Sequence, residues 1–517
     1  MEMSSTLGVA AIALVAGATL AIGFLGLRVA RTTSDFFVAS RTVRPSLNAS
    51  AIGGEYLSAA SFLGVAGLVL AFGADMLWYP VGWTAGYLVL LVLVAAQLRR
   101  SGAYTLPDFA EARLGSRAVR TASSVLVVAV GWLYLMPQFQ GAGLTLGSVT
   151  GAQPWVGGLV AAVVVLLSVL SGGMRSITMV QAFQFWLKLT ALLIPVFFLL
   201  IVWLGDGGVS PAAERVSAGG MSGDVWAAPL ASVSAHPLYT TYSLIIATFL
   251  GTMGLPHVVV RFYTNPDGRA ARRTTLAVLA LLGAFYVIPP VYGALGRIYA
   301  PDLIASGRTD TVVLELPARM IGGAGGELLS ALTTAGAFAA FLSTTSGLTV
   351  AVAGVVSQDV VSRRVGPIRL GPISAFRLSA VVAVVVPFSL ALFAPDVSVA
   401  RSVGLAFAVA ASTFCPLLVL GIWWRRLTDV GALVGLAVGG VASCAAVADA
   451  LLGDRDAGWT ADLLGQPAAW TVPLAFLTMI GVSLLTQHRV PAHVGRFMVR
   501  LHTPEAVVLD RGHPVRD

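Results

Sequence analysis

Long apolar stretches recur from one end of this chain to the other, and they leave few folds open to it. Thirteen runs are long enough to cross a hydrocarbon core of about 30 Å as helices. They lie at about 7–28, 46–71, 75–98, 121–148, 155–173, 180–204, 238–260, 274–299, 328–358, 372–394, 398–424, 430–452 and 470–487. Lipid offers no partner to a free amide or carbonyl, so runs of this length read as helices that bond internally. Composition agrees: 57% of the 517 residues are hydrophobic and 11% are charged, against roughly 25% charged in soluble domains. The fold class is all-α, polytopic and membrane-embedded.

The net charge of +8 does not indicate nucleic acid, because the basic residues sit in short loops between spans with few aromatics beside them. They are arginines, Lys188 being the single lysine. Cys415 and Cys444 fall inside spans, which implies neither a disulfide framework nor a metal site. The first run lacks the basic flank and cleavage site of a secretory signal and reads as a retained span. Arginines cluster after spans one, three, seven, nine and eleven, among them Arg44, Arg99, Arg100, Arg272, Arg363 and Arg425. The positive-inside rule then puts the N-terminus outside and the C-terminus in the cytoplasm of a plasma-membrane protein. The expected layout is a first helix and cytoplasmic loop (1–45), five spans (46–204), an extracellular loop with little regular structure (205–237) and five further spans (238–424). Two peripheral helices (425–487) and a tail too short for a catalytic domain (488–517) complete it.

Span nine carries four consecutive hydroxyl residues, Ser343, Thr344, Thr345 and Ser346, with Thr333 and Thr334 about three turns earlier. Back-bonding to a carbonyl one turn behind is the bland account of any one of them. Four in a row cannot all do so toward one neighbour. Ala340, Ser343 and Thr344, at i, i+3 and i+4, would converge a carbonyl and two hydroxyl oxygens on one face. Neutral oxygen ligands suit a weakly held, hard, monovalent cation. Span two holds Gly53, Gly54, Glu55, Tyr56, Leu57, Ser58 and, one turn on, Ser61. An acid beside a glycine pair at membrane depth is costly, and it points to a broken helix lining a cavity. The amides near Leu57 and Ser58 would open a new half-helix whose positive end attracts an anion. Span seven offers a second break at Gly251, Gly254, Pro256 and His257. Spans two and seven lie five apart and enter from opposite sides, as in two inverted five-helix repeats with a site between their broken helices. In span four, Gln138 and Gln140 beside Pro137 either line a polar cavity or hold helices together. Trp78, Tyr79 and Trp83 read as interfacial belt residues first.

Taken together, Ser34–Arg41 after span one, the Gly-Gly-Glu-Tyr-Leu-Ser run, Tyr104–Ala110 and Gly254–Phe262 resemble the solute:sodium symporter family. The resemblance is nearest to its cation/acetate branch of monocarboxylate permeases. It implies thirteen helices with a LeuT-like core of two inverted five-helix repeats. It also implies a sodium site made by the carbonyls of Gly54 and Leu57 with Ala340, Ser343 and Thr344. Other branches place an aspartate several residues after the glycine pair that ends span five, where this chain has Gln181.

The expectation is therefore a sodium-coupled importer of a small monocarboxylate such as acetate, propionate or pyruvate. Glu55, Ser58, Ser61, Gln138, Gln140, Gly254, Pro256 and His257 are its candidate substrate-binding residues. Sodium would be cotransported, with no organic cofactor, and the partners are the carboxylate, sodium and membrane lipids. Glu55 is protonated, paired with an arginine, or a second cation ligand. The alternatives are another solute on the same scaffold (an amino acid such as proline, or a sugar), coupling to protons, or a transporter-like sensor. An enzyme is disfavoured, because the spans show no paired acids, metal-ligand cluster or activated nucleophile.

Overall fold

The structure is a computed structural model describing residues 2–27, 42–213, 221–230, 234–361, 371–393, 398–453 and 458–504. The motif Ser34–Arg41, the arginines Arg363, Arg364 and Arg369, and the tail beyond 504 lie outside these residues. Among the described residues, ten helices are long and apolar enough to cross a membrane, or eleven if a pair bent by 45° counts as one span. The expected thirteen reduce to this number because neighbouring spans run on as one element. Spans five and six form a single run, Pro154–Gly205, turned at Gly173, where φ is 57°. Spans two and three share residues 60–101, folded over at Gly73. There φ is +77° and a Cβ would stand 1.9 Å from the Trp226 carbonyl, so only glycine fits. The first half of span two is a separate helix, Pro45–Tyr56.

Span nine, Gly323–Val356, is the axis of the molecule, with every residue from Thr333 to Val356 buried. A helix that is apolar all round belongs in an interior. Its alanines, glycines, serines and threonines let neighbouring backbones approach closely, which is what binds helices where lipid gives no hydrophobic drive. The Pro154–Gly205 run, span one and span four pack around it. Span eleven, Val399–Trp423, is nearly as deeply buried and packs along Pro237–Gly254. Spans twelve and thirteen, Asp429–Leu452 and Ala468–Leu485, pair with each other at the periphery.

Two loops are more ordered than their sequences suggest. The loop after Gly205 carries a short helix, Gly223–Ala227, whose buried Trp226 donates its indole N–H to Val69 O at 2.8 Å. Arg297 tethers the same loop by donating to Pro211 O (2.9 Å) and Met221 O (2.7 Å). After span thirteen, Val494–His502 folds back as an amphipathic helix with Val494, Phe497, Met498 and Leu501 buried. Several arginines act as caps. The buried Arg113 donates to Gly421 O (2.9 Å) and Trp424 O (3.0 Å), meeting carbonyls freed at the end of span eleven.

Candidate functional site

Span two breaks where the sequence placed the break. The helix ends at Tyr56, Leu57 leaves helical geometry (φ −73°, ψ 83°) and a π turn, Ala60–Gly64, leads into Val65–Phe72. The Ser58 amide, which in a continuous helix would reach Gly54 O, bonds Tyr56 O at 2.8 Å instead. Gly54 makes the neighbouring contact possible, since a Cβ there would lie 2.1 Å from Gln181 O. The second break is at Leu255, in extended geometry between Pro237–Gly254 and Pro256–Phe262.

The carbonyls of Gly54 and Leu57 and the hydroxyl of Ser343 do converge, and a cation of the chain's own lies among them. Lys188 Nζ donates to Gly54 O, to Leu57 O at 2.7 Å and to Ser343 Oγ at 2.9 Å. Ser343 Oγ donates onward to Ala340 O at 3.0 Å. Thr344 turns elsewhere, giving its hydroxyl proton to Glu55 O at 2.6 Å. Of the five expected ion ligands, then, three surround Nζ, Ala340 stands behind Ser343, and Thr344 fixes the broken strand one residue away.

Glu55 is paired. Arg261 Nε lies 2.6 Å from Glu55 Oε2, and both side chains are about fully buried, at 1% and 2% exposure. Arg261 also donates to Thr178 Oγ1 at 2.9 Å and to Gln181 Oε1. Gln181 Nε2 reaches Ser343 O at 2.9 Å. The residue standing in the aspartate's place thus joins the ion pair to span nine. A buried pair of this kind is tolerable only because nearly every remaining donor is met.

Above the break, Tyr56, Trp83, Tyr87, Tyr134, Tyr286 and Phe407 form an aromatic enclosure, with centroid separations from 4.8 Å (Tyr56–Tyr87) to 6.2 Å (Tyr56–Phe407). Tyr79 and Trp83 are buried at 4% and 1% exposure, so they belong to the interior rather than to an interfacial belt. The Ala59 amide, first of the new half-helix, is met by Gln138 Oε1 at 3.2 Å. Ser61 Oγ pairs with Tyr286 OH and Tyr56 OH with Thr252 Oγ1, each at 2.8 Å. Ser58 Oγ, Tyr87 OH, Trp83 Nε1 and both His257 nitrogens are buried without a hydrogen-bond partner. His257 packs edge-on to Tyr134 at 5.3 Å. Buried donors left open at a helix break are what a small polar guest would satisfy.

Gln140 is separate from this enclosure and lines another cavity with Phe139, Pro154 and Asp310. Gly254 and Pro256 contribute backbone shape: a Cβ on Gly254 would meet Ala410 O at 2.4 Å. Sequence reasoning gave no role to Lys188 or Arg261. A signal existed, because Gln181, Gln184 and Lys188 fall at i, i+3 and i+7 on one face of an otherwise apolar span.

A core helix bundle with two broken spans and an aromatic enclosure holding unmet polar groups beside them fits a secondary transporter of the inverted-repeat class. The chain belongs to the sodium:solute symporter family, whose model matches residues 36–439. It is 31% identical over 481 residues to the uncharacterized symporter YwcA of Bacillus subtilis (strain 168), covering 90% of this chain and 91% of that one. Its fold is similar to that of a Na+-coupled sialic acid symporter in a substrate-bound outward-open state. That match has TM-score 0.66 and 16% identity, over 92% of this chain and 98% of the other. It is also similar to Mhp1, a nucleobase-cation-symport-1 family transporter in a closed conformation, with TM-score 0.56 and 14% identity, over 91% and 99%.

Proposed function

We propose that this protein imports a small monocarboxylate together with a cation across the plasma membrane by alternating access. The observation that carries the substrate reading is the set of unmet buried donors, Ser58 Oγ, Tyr87 OH and Trp83 Nε1, beside the first amides of the new half-helix. A carboxylate is an acceptor suited to each of these donors, and apolar ring faces beside them suit a short acyl chain. Glu55 does not repel such an anion, since Arg261 neutralises it. Moving one negative charge inward costs about 2.3 kcal/mol per 100 mV of inside-negative potential, and one cotransported cation cancels that term. Family membership and the sodium coupling of the sialic acid symporter support sodium as the first ion to test. Proton coupling is the second reading, and the Lys188 amine among the expected ion ligands favours it.

Purified protein in liposomes is offered radiolabelled acetate, propionate, pyruvate and proline, with sodium and pH gradients varied independently. Uptake of the short carboxylates in preference to proline is the expected result. Uptake of proline alone would remove the monocarboxylate reading.

A further inference from the structure

We propose that Lys188 is the coupling cation of this transporter: its amine carries a proton into the place among Gly54, Leu57 and Ser343 where a sodium ion would otherwise sit. The inference rests on the cation-coupled reading above and replaces its ion. Nζ has three acceptors at hydrogen-bond distance, two of them carbonyls that can only accept. The third, Ser343 Oγ, spends its own proton on Ala340 O. Three acceptors call for three N–H donors, and a lysine has three only as an ammonium. The side chain is fully buried, so its charge is answered by these dipoles and not by water. A sodium ion set among the same oxygens would meet a full positive charge at contact distance.

The charged groups around Nζ are few. Among the described residues these are chiefly Glu55, from span two, next in the chain to Gly54 whose carbonyl Nζ meets. That carboxylate is held by Arg261 from span seven, and His257 of the same span packs edge-on to Tyr134. Span nine contributes hydroxyls and carbonyls to this face, and span eight contributes the Tyr292 hydroxyl, which donates to Leu192 O at 2.9 Å, one turn along from Lys188.

The cycle follows from the bonds. Protonation from the outer side gives R–NH3+, which ties both sides of the span-two break to span nine and so assembles the half-helix that receives the anion. Loss of that proton to the cytoplasm leaves R–NH2 with two donors for three acceptors. Ser343 must then turn its hydroxyl from Ala340 O toward Nζ, and the tie between spans two and nine loosens. One proton and one monocarboxylate move inward per turn, with no net charge.

Two measurements on the full-length protein test this. In the first, thermal stability of purified wild type and Lys188→Ala is read in sodium chloride against choline chloride. Wild type should be indifferent to sodium, whereas Lys188→Ala, with the oxygen cage vacated, should be stabilised by it. A sodium-dependent rise in wild type, or its absence from a folded Lys188→Ala, overturns the assignment. In the second, proteoliposomes free of sodium receive an inward proton gradient and labelled acetate, propionate or pyruvate. Wild type should accumulate label, and Lys188→Met should accumulate at least tenfold less while still exchanging label at equal solute on both sides. Wild-type uptake that needs sodium with the proton gradient clamped overturns the proposal. If no carboxylate moves but the stability contrast holds, the lysine assignment is supported and the monocarboxylate reading fails.

Discussion

Glu55 and Arg261 form a fully buried ion pair, and their partners decide what substitution does. Removing one charge strands the other in low dielectric, which typically costs about 3–5 kcal/mol, whereas removing both is often near neutral. Glu55→Gln is therefore expected to lower the melting temperature sharply, and Glu55→Gln with Arg261→Gln to recover most of the loss. A double-mutant cycle read by thermal denaturation checks this; additive losses would show that the pair is not coupled. Gly347 is constrained by the same carboxylate, since a Cβ there would fall 2.1 Å from Glu55 Oε1. Gly347→Ala should destabilise by about 1–3 kcal/mol, as overpacking does, and pairing it with Glu55→Ala should relieve the clash. Expression and melting temperature of the two variants are the measurements.

The elements that matter most are the interrupted ones. Span two is held open by partners from elsewhere: Gln138 on the Ala59 amide, Thr344 on Glu55 O and Lys188 on the two freed carbonyls. Leaving one buried amide unmet costs about 1–3 kcal/mol. Gln138→Leu is accordingly expected to weaken substrate affinity severalfold with little change in expression, measured as the KM for uptake. An unchanged KM would mean that the half-helix start is not part of the binding surface. The breaks themselves were legible, because glycine pairs, a proline and an acid inside apolar runs conflict with a continuous helix. Which side chains repair a break was not. Gln138 and Gln140 look alike in sequence, yet only the first faces the break, a matter of helix rotation set by packing. The role of Lys188 was hidden for another reason. A lone lysine in a span is conspicuous, but its three oxygen partners come from residues more than a hundred positions away.

At the scale of the whole molecule, one end of the bundle is drawn together by Arg120. It bonds Glu111 at 2.6 Å, Asp108 at 2.8 Å and Asp359 at 2.6 Å, joining the short helix Leu106–Leu114 and the start of span four to the end of span nine. Asp359→Asn should loosen that closure and speed efflux of labelled substrate from preloaded liposomes, while leaving melting temperature nearly unchanged. Equal efflux from the two proteins would show that the hub is only structural. Hydropathy was enough to outline the bundle, because lipid imposes a length and a polarity on every span. The docked short helix around Trp226 and the folded-back helix at Val494 were not visible in the same way, since each is a short segment stabilised by distant contacts.

That this chain has one lysine, and that it is enclosed at the meeting of two helices, makes a native reporter available. An amine-directed reagent finds one side-chain target in this sequence, and that target is sealed when the helices meet. The rate of its modification, read by mass spectrometry on unmutated protein, would clock how often the interior opens to water.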